Sequence, residues 1–170
     1  MESNFTNRTN DRPPEVQEFQ SGQEEKIWIA DKIAWLIEKQ QVRSEDILVL
    51  FEKSSDFTDL EQLVRARVPS IQGFVKPFGK DPKNPDKDSY ILRKGYLTLC
   101  TTKGAKGYDA YVVFLVGSDQ FENTREGRAS FYVGATRAKL MLYVTGRGKD
   151  GSLLSEAVQV QQMLFAPNYR

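Results

Sequence analysis

Two short segments hold the residues best suited to chemistry. Thr101-Thr102-Lys103-Gly104-Ala105-Lys106-Gly107-Tyr108-Asp109 lies between two apolar runs, Tyr96–Cys100 and Tyr111–Val116. Its glycines let the main chain come close to a ligand, its N–H groups can form a concave anion nest, and its lysines supply charge. These are the ingredients of a polyanion site at the carboxyl end of a strand, where open α/β sheets bind ligands. A plain basic turn has the same composition, and composition alone leaves the two readings open. Arg137 stands at the end of a helical pattern, between Thr136 and Ala138. There it can reach a neighbouring phosphate as an arginine finger, cap a carbonyl, or join a salt bridge.

The chain also narrows the chemistry by what it lacks. It contains no histidine, which removes Ser-His and Cys-His nucleophile pairs and His-ligated metals together. The phosphate-gripping pattern G-x-x-x-x-G-K-[ST] occurs nowhere. The nearest approach, Gly73 to Lys80, has one residue too many between its glycines and runs into Asp81. Without that loop the chain is not expected to cleave a nucleoside triphosphate alone, and no metal site is expected in it.

The elements that must position these residues read as alternating helices and strands. Residues 1–20 are polar with Pro13-Pro14 and predict a flexible lead-in. Ser21 and Glu24 match a capping box opening a helix to about Gln41, with Ile29, Ile33, Leu36 and Ile37 on one face. Trp28 and Trp35 on it suit either the core edge or a surface contact. Ile47–Phe51 is a continuous apolar run, as in a strand buried on both faces, and Asp56 can cap a helix carrying Leu60, Leu63 and Val64. Residues 69–94, rich in Pro, Gly, Lys and Asp, predict a long surface connection, either touching a phosphate backbone or merely solvated. After the two strands flanking the glycine segment come a helix from Thr124 to about Ala138, a strand over Leu140–Val144, and an amphipathic helix from Leu154 to Leu164. In that first helix Gly134 permits another backbone to approach.

A chain of 170 residues suits one domain with a full core. A net charge of +1 exerts no global pull on nucleic acid, so any such partner must be met by a local cluster. No apolar run approaches the ~20 residues of a membrane span, and the first residues are unlike a signal peptide. With a lone Cys100, the expected compartment is the cytoplasm.

Taken together, the two segments resemble the carboxyl-terminal RecA-like motor domain of superfamily 1 helicases of the UvrD/Rep type. The family's fifth motif, T-x-H-x-x-K-G-L-E before an apolar strand, is similar to Thr101–Asp109 before Tyr111–Leu115. Its sixth, E-E-R-R-x-x-Y-V-x-x-T-R-A, is similar to Glu126–Ala138, with Tyr132, Val133, Thr136, Arg137 and Ala138 matching directly. The resemblance extends more loosely over residues 21–165. It implies a three-layer α/β/α sandwich with a mostly parallel sheet, and no phosphate loop of its own. It implies that Arg137 reaches the γ-phosphate of ATP, and that Asp109, Gly107 and Lys106 stand at the nucleotide. Thr101 and Lys103 fall at positions implied to face single-stranded DNA. Most of the ATP, and its Mg2+, would be held by an amino-terminal RecA-like domain supplied separately.

This chain departs from the family at several points. Lys103 replaces the motif histidine, and Asp109 is one methylene shorter than the motif glutamate. Glu52 stands where an arginine commonly follows the fourth-motif strand, and Gly127 and Ala129 interrupt the charged run before the sixth motif. Residues 69–94 replace the family's large accessory insertion, and 166–170 form a short tail. Glu52, Gly127 and Ala129 favour the alternative of a non-catalytic nucleic-acid or protein adaptor.

Overall fold

Strands form where apolar runs can bury both faces, as the central strands here do, with shorter or more polar strands at the two edges of the sheet. The computed structural model describes residues 13–53, 57–76, 93–105 and 107–165. The strands are β1 (Glu15–Phe19), β2 (Ile47–Phe51), β3 (Gly73–Val75), β4 (Tyr96–Thr101), β5 (Ala110–Val116) and β6 (Ala138–Arg147). The helices are α1 (Gly22–Glu38), α2 (Phe57–Arg67), α3 (Arg125–Ala135) and α4 (Leu153–Phe165). The six strands form one sheet in the order β1-β6-β5-β2-β4-β3, and every pair is parallel. The expected α/β sandwich is observed, with a sheet that is parallel throughout.

Alternation along the strands divides the core between two faces. Ile47, Val49 and Phe51 of β2 share one face with Leu97 and Leu99 of β4 and Val112 and Phe114 of β5, under Ile29 and Ile33 of α1 and Leu60 and Val64 of α2. Leu48 and Leu50 point the other way, with Val113 and Leu115, toward Phe131 and Ala135 of α3 and Leu153 of α4. Burial of a side chain such as Leu50 is worth about 1.5–3 kcal/mol, so this pattern specifies register strongly.

Three expectations are corrected. Residues 15–19, expected within a flexible lead-in, form β1, paired with β6 from Glu15↔Tyr143 to Phe19↔Arg147. The segment is too polar to read as a strand alone, but a sheet edge supplies its main-chain partners, and Phe19 packs on Trp28 at 5.7 Å. Within the expected 69–94 connection, Gly73–Val75 adds β3 beside β4. Gly134 meets the side chains of Leu115 and Thr102, not a neighbouring backbone.

The capping box at α1 is only half formed. Ser21 accepts from the N–H of Glu24, while the Glu24 carboxylate reaches the N–H of Gln20, not that of Ser21. Asp56 and the proline- and lysine-rich residues 77–92 lie outside the described residues, as do 1–12 and 166–170. Among the described residues, no helix is long and apolar enough to cross a membrane.

Candidate functional site

The glycine segment spans the sheet from edge to edge instead of sitting at one end. β4 finishes at Thr101, at the carboxyl edge, and β5 starts at Ala110, at the amino edge of the same parallel sheet. Residues 102–109 must therefore travel back across one face and pass β2, which lies between the two strands. The seven residues of β5, at about 3.3 Å each, separate the edges by roughly 20 Å. The site residues expected at one carboxyl end thus fall into two groups.

The amino-edge group is Asp109 with Arg137. Each immediately precedes a strand, and Ala110 and Ala138 are register partners. The Ala110 N–H donates to the Arg137 carbonyl at 3.0 Å, tying the two loops together. Arg137 Nη1 lies 3.1 Å from Asp109 Oδ1, an ion pair in which the arginine is 23% exposed and the aspartate 47%. Arg137 Nε donates to the Val133 carbonyl at 3.1 Å, and Nη2 to the Thr136 hydroxyl at 3.5 Å. The guanidinium thus packs against the carboxyl end of α3, where the helix dipole favours a cation. It carries five N–H donors, and at least two have no partner among the described residues.

Gly107 supplies the turn that brings Asp109 to this edge. Its φ is 91°, a conformation that costs an L side chain roughly 1–2 kcal/mol, and the Tyr108 N–H closes the turn on the Ala105 carbonyl at 2.9 Å. Lys106, the neighbouring candidate, lies outside the described residues.

The carboxyl-edge group is Thr101 with Lys103. Both line a cavity of about 340 Å³, with Glu52, Glu122, Thr124 and Ser130 among the other walls. The Thr101 hydroxyl accepts from the Gly104 N–H at 3.1 Å, leaving its own proton to donate, and Lys103 is exposed. The loop is fastened to α3 by a 2.8 Å bond between the Thr102 and Ser130 hydroxyls. Among the described residues Glu52 Oε2 is buried here without a hydrogen-bond partner, so this wall favours a donor-bearing ligand over a bare anion.

Two buried groups lie away from these contacts. Glu25 is 4% exposed and accepts from the Gly117 N–H and the Thr145 hydroxyl at 2.8 and 2.7 Å. Burial raises its pKa, against the pull of those bonds. Burial also pushes the Cys100 thiol up to about 11, so it is not a thiolate at neutral pH. Among the described residues no group of three or more His, Cys, Asp or Glu is arranged to hold a metal.

Several contributors carry no signal in the sequence. The Val133 carbonyl anchors Arg137, and a main-chain acceptor exists at every position, so nothing local singles it out. Ser130 is polar in an otherwise amphipathic helix, a signal visible only with the partner loop in place. Gly127 reads as a break in a charged motif. A Cβ there would lie 1.9 Å from the Glu122 carbonyl, so the turn into α3 requires the missing side chain.

No family model matches the chain, and no curated protein matches it by sequence. Its structure is similar to the C-terminal domain of a possible DNA helicase from Lactobacillus plantarum WCFS1, with a TM-score of 0.56 and 14% identity over 89% of this chain and 86% of that one. The C-terminal part of the Fun30 ATPase domain aligns with a TM-score of 0.46 and 16% identity, over 79% of this chain and 44% of that one. The first likeness establishes that the α/β fold is shared.

Proposed function

We propose that this chain is the C-terminal motor domain of a superfamily 1, UvrD/Rep-type ATP-dependent DNA helicase. In this reading it supplies one wall of an ATP site and one wall of a groove for single-stranded DNA. The observation that carries the reading is Arg137, held by its own helix end and by Asp109 with N–H donors left without a partner among the described residues. That donor set fits a phosphate, and Arg is the side chain whose planar fork matches one. The fold shared with the C-terminal domain of a possible DNA helicase supports the same reading.

Arg137 would stabilise negative charge on the phosphoryl group, while ATP and its Mg2+ are held mainly by an amino-terminal RecA-like domain. Bound ATP supplies the phosphoryl-transfer chemistry. This chain's part is to orient a guanidinium at the amino edge, with Gly107 shaping the turn beside it. Thr101 and Lys103 contact the strand at the opposite edge, and Thr102 and Ala105, on the segment that joins the two places, pack against α3.

The test is to add the separate amino-terminal motor domain and measure ATP turnover with and without single-stranded DNA. Stimulated turnover that Arg137→Ala abolishes supports the motor. DNA binding with no response to ATP supports the adaptor alternative, and so does turnover indifferent to Arg137. Gly127, one of the departures that favour the adaptor, also has a packing reason in the turn into α3.

A further inference from the structure

The Asp109 carboxylate already has a partner in the Arg137 guanidinium. Its Oδ1 faces Arg137 Nη1 at 3.1 Å, and the main chains behind the two residues are fixed to each other through Ala110 N–H and the Arg137 carbonyl. A carboxylate gains more from a guanidinium than from a neutral hydroxyl, because both charges strengthen the contact. Aspartate also has less reach than glutamate, so with its backbone tied beside Ala110 its carboxylate stays close to the arginine.

We propose that Asp109 is a positioning residue that acts through Arg137, fixing the guanidinium with its spare N–H groups outward, and that it is not a ribose contact. This rests on the proposed function, since the orientation matters only if Arg137 meets a phosphate. Three restraints hold the guanidinium together, with the Val133 carbonyl at Nε, the Thr136 hydroxyl at Nη2 and Asp109 at Nη1. The first two come from the arginine's own helix end. Asp109 is the restraint that comes from the glycine loop, so it transmits the loop's position to the arginine. Pre-organisation of this kind lowers the reorganisation needed at the moment of reaction.

Two measurements test the assignment. In the full chain with labelled arginine, the Arg137 Nε–H signal, identified by its loss in Arg137→Lys, should exchange with water at least about tenfold faster in Asp109→Asn and Asp109→Ala, with Asp109→Glu recovering part of the protection. An unchanged exchange rate overturns the proposal. With the amino-terminal motor domain added, Asp109→Ala should lower kcat with little change in KM, and the double variant Asp109→Ala/Arg137→Ala should be no slower than Arg137→Ala alone. The preference for ATP over 2′-deoxy- and 3′-deoxy-ATP should be the same in wild type and Asp109→Ala. Additive losses, or a selective loss of ribose discrimination, overturn the positioning role while leaving the proposed function standing. Indifference of turnover to Arg137→Ala removes both.

Discussion

Arg137 and Asp109 form an ion pair at 3.1 Å across the starts of two neighbouring parallel strands. They are separated along the chain by a strand, a helix and a turn, and the first hydrogen bond of the β5–β6 pairing brings them together. A half-exposed pair of this kind contributes little to stability, about 0–1 kcal/mol. Its worth lies in orientation, and the predictions for the proposed function begin there.

Replacing Arg137 by alanine should slow ATP turnover in the presence of the amino-terminal motor domain by on the order of a thousandfold or more, equivalent to at least ~4 kcal/mol of barrier. Arg137→Lys should recover only a small part, because a lysine cannot hold the Val133 carbonyl and present a planar fork together. Steady-state kinetics on the three proteins decides it, and an alanine variant within about tenfold of wild type rejects the finger role.

Binding to single-stranded DNA should fall steeply with salt, and Lys103→Ala should weaken it across all sequences while reducing the slope of log K against log salt by about 0.7. Fluorescence anisotropy on labelled oligonucleotides at several salt concentrations reads both quantities. A slope unaffected by Lys103→Ala takes that side chain off the strand path.

Gly127→Ala should destabilise the fold, since its new Cβ would lie 1.9 Å from a main-chain oxygen that no rotamer change can move. Overpacking of this kind costs about 1–3 kcal/mol, and more when the backbone must yield. Helix propensity favours alanine over glycine by about 1 kcal/mol, so a fall in Tm on thermal unfolding reads the steric effect against that gain. A variant as stable as wild type contradicts the steric account.

Stability should depend on pH through Glu25. Its folded-state pKa is raised above the ordinary 4.5 by burial, so between those two values the folded protein holds more protons than the unfolded one. The contribution of this group is therefore fully present below about pH 4.5 and is lost as pH rises through the folded pKa. Glu25→Gln keeps an acceptor for the Gly117 N–H and Thr145 hydroxyl but never ionises. Its stability relative to wild type should improve with rising pH and then level off, as urea titrations at several pH values can show. Glu25→Ala should instead lose about 1–3 kcal/mol for each group left without a partner.

Much of the fold was legible because burial leaves a periodic trace in sequence. Ile47–Phe51 and Ala110–Val116 are apolar at every step, as only a strand covered on both faces can be. The helix read from Thr124 begins there, with Thr124 as its cap accepting from the Gly127 N–H at 3.1 Å, and it ends at Ala135, three residues short of the expected Ala138. β1 and β3 left no such trace, since edge strands owe their conformation to main-chain bonds with a neighbour that the local residues do not encode.

For the candidate site, the sequence by itself determined which side chains are present, the absence of histidine and of a phosphate loop, and the order of the two motifs along the chain. Only the tertiary structure decided that Thr101 and Lys103 stand at one edge of the sheet and Asp109 and Arg137 at the other. The reason is the strand order: β2 inserts between β4 and β5, so a segment that reads as one loop has to cross the sheet, and residues adjacent in sequence end up facing different partners.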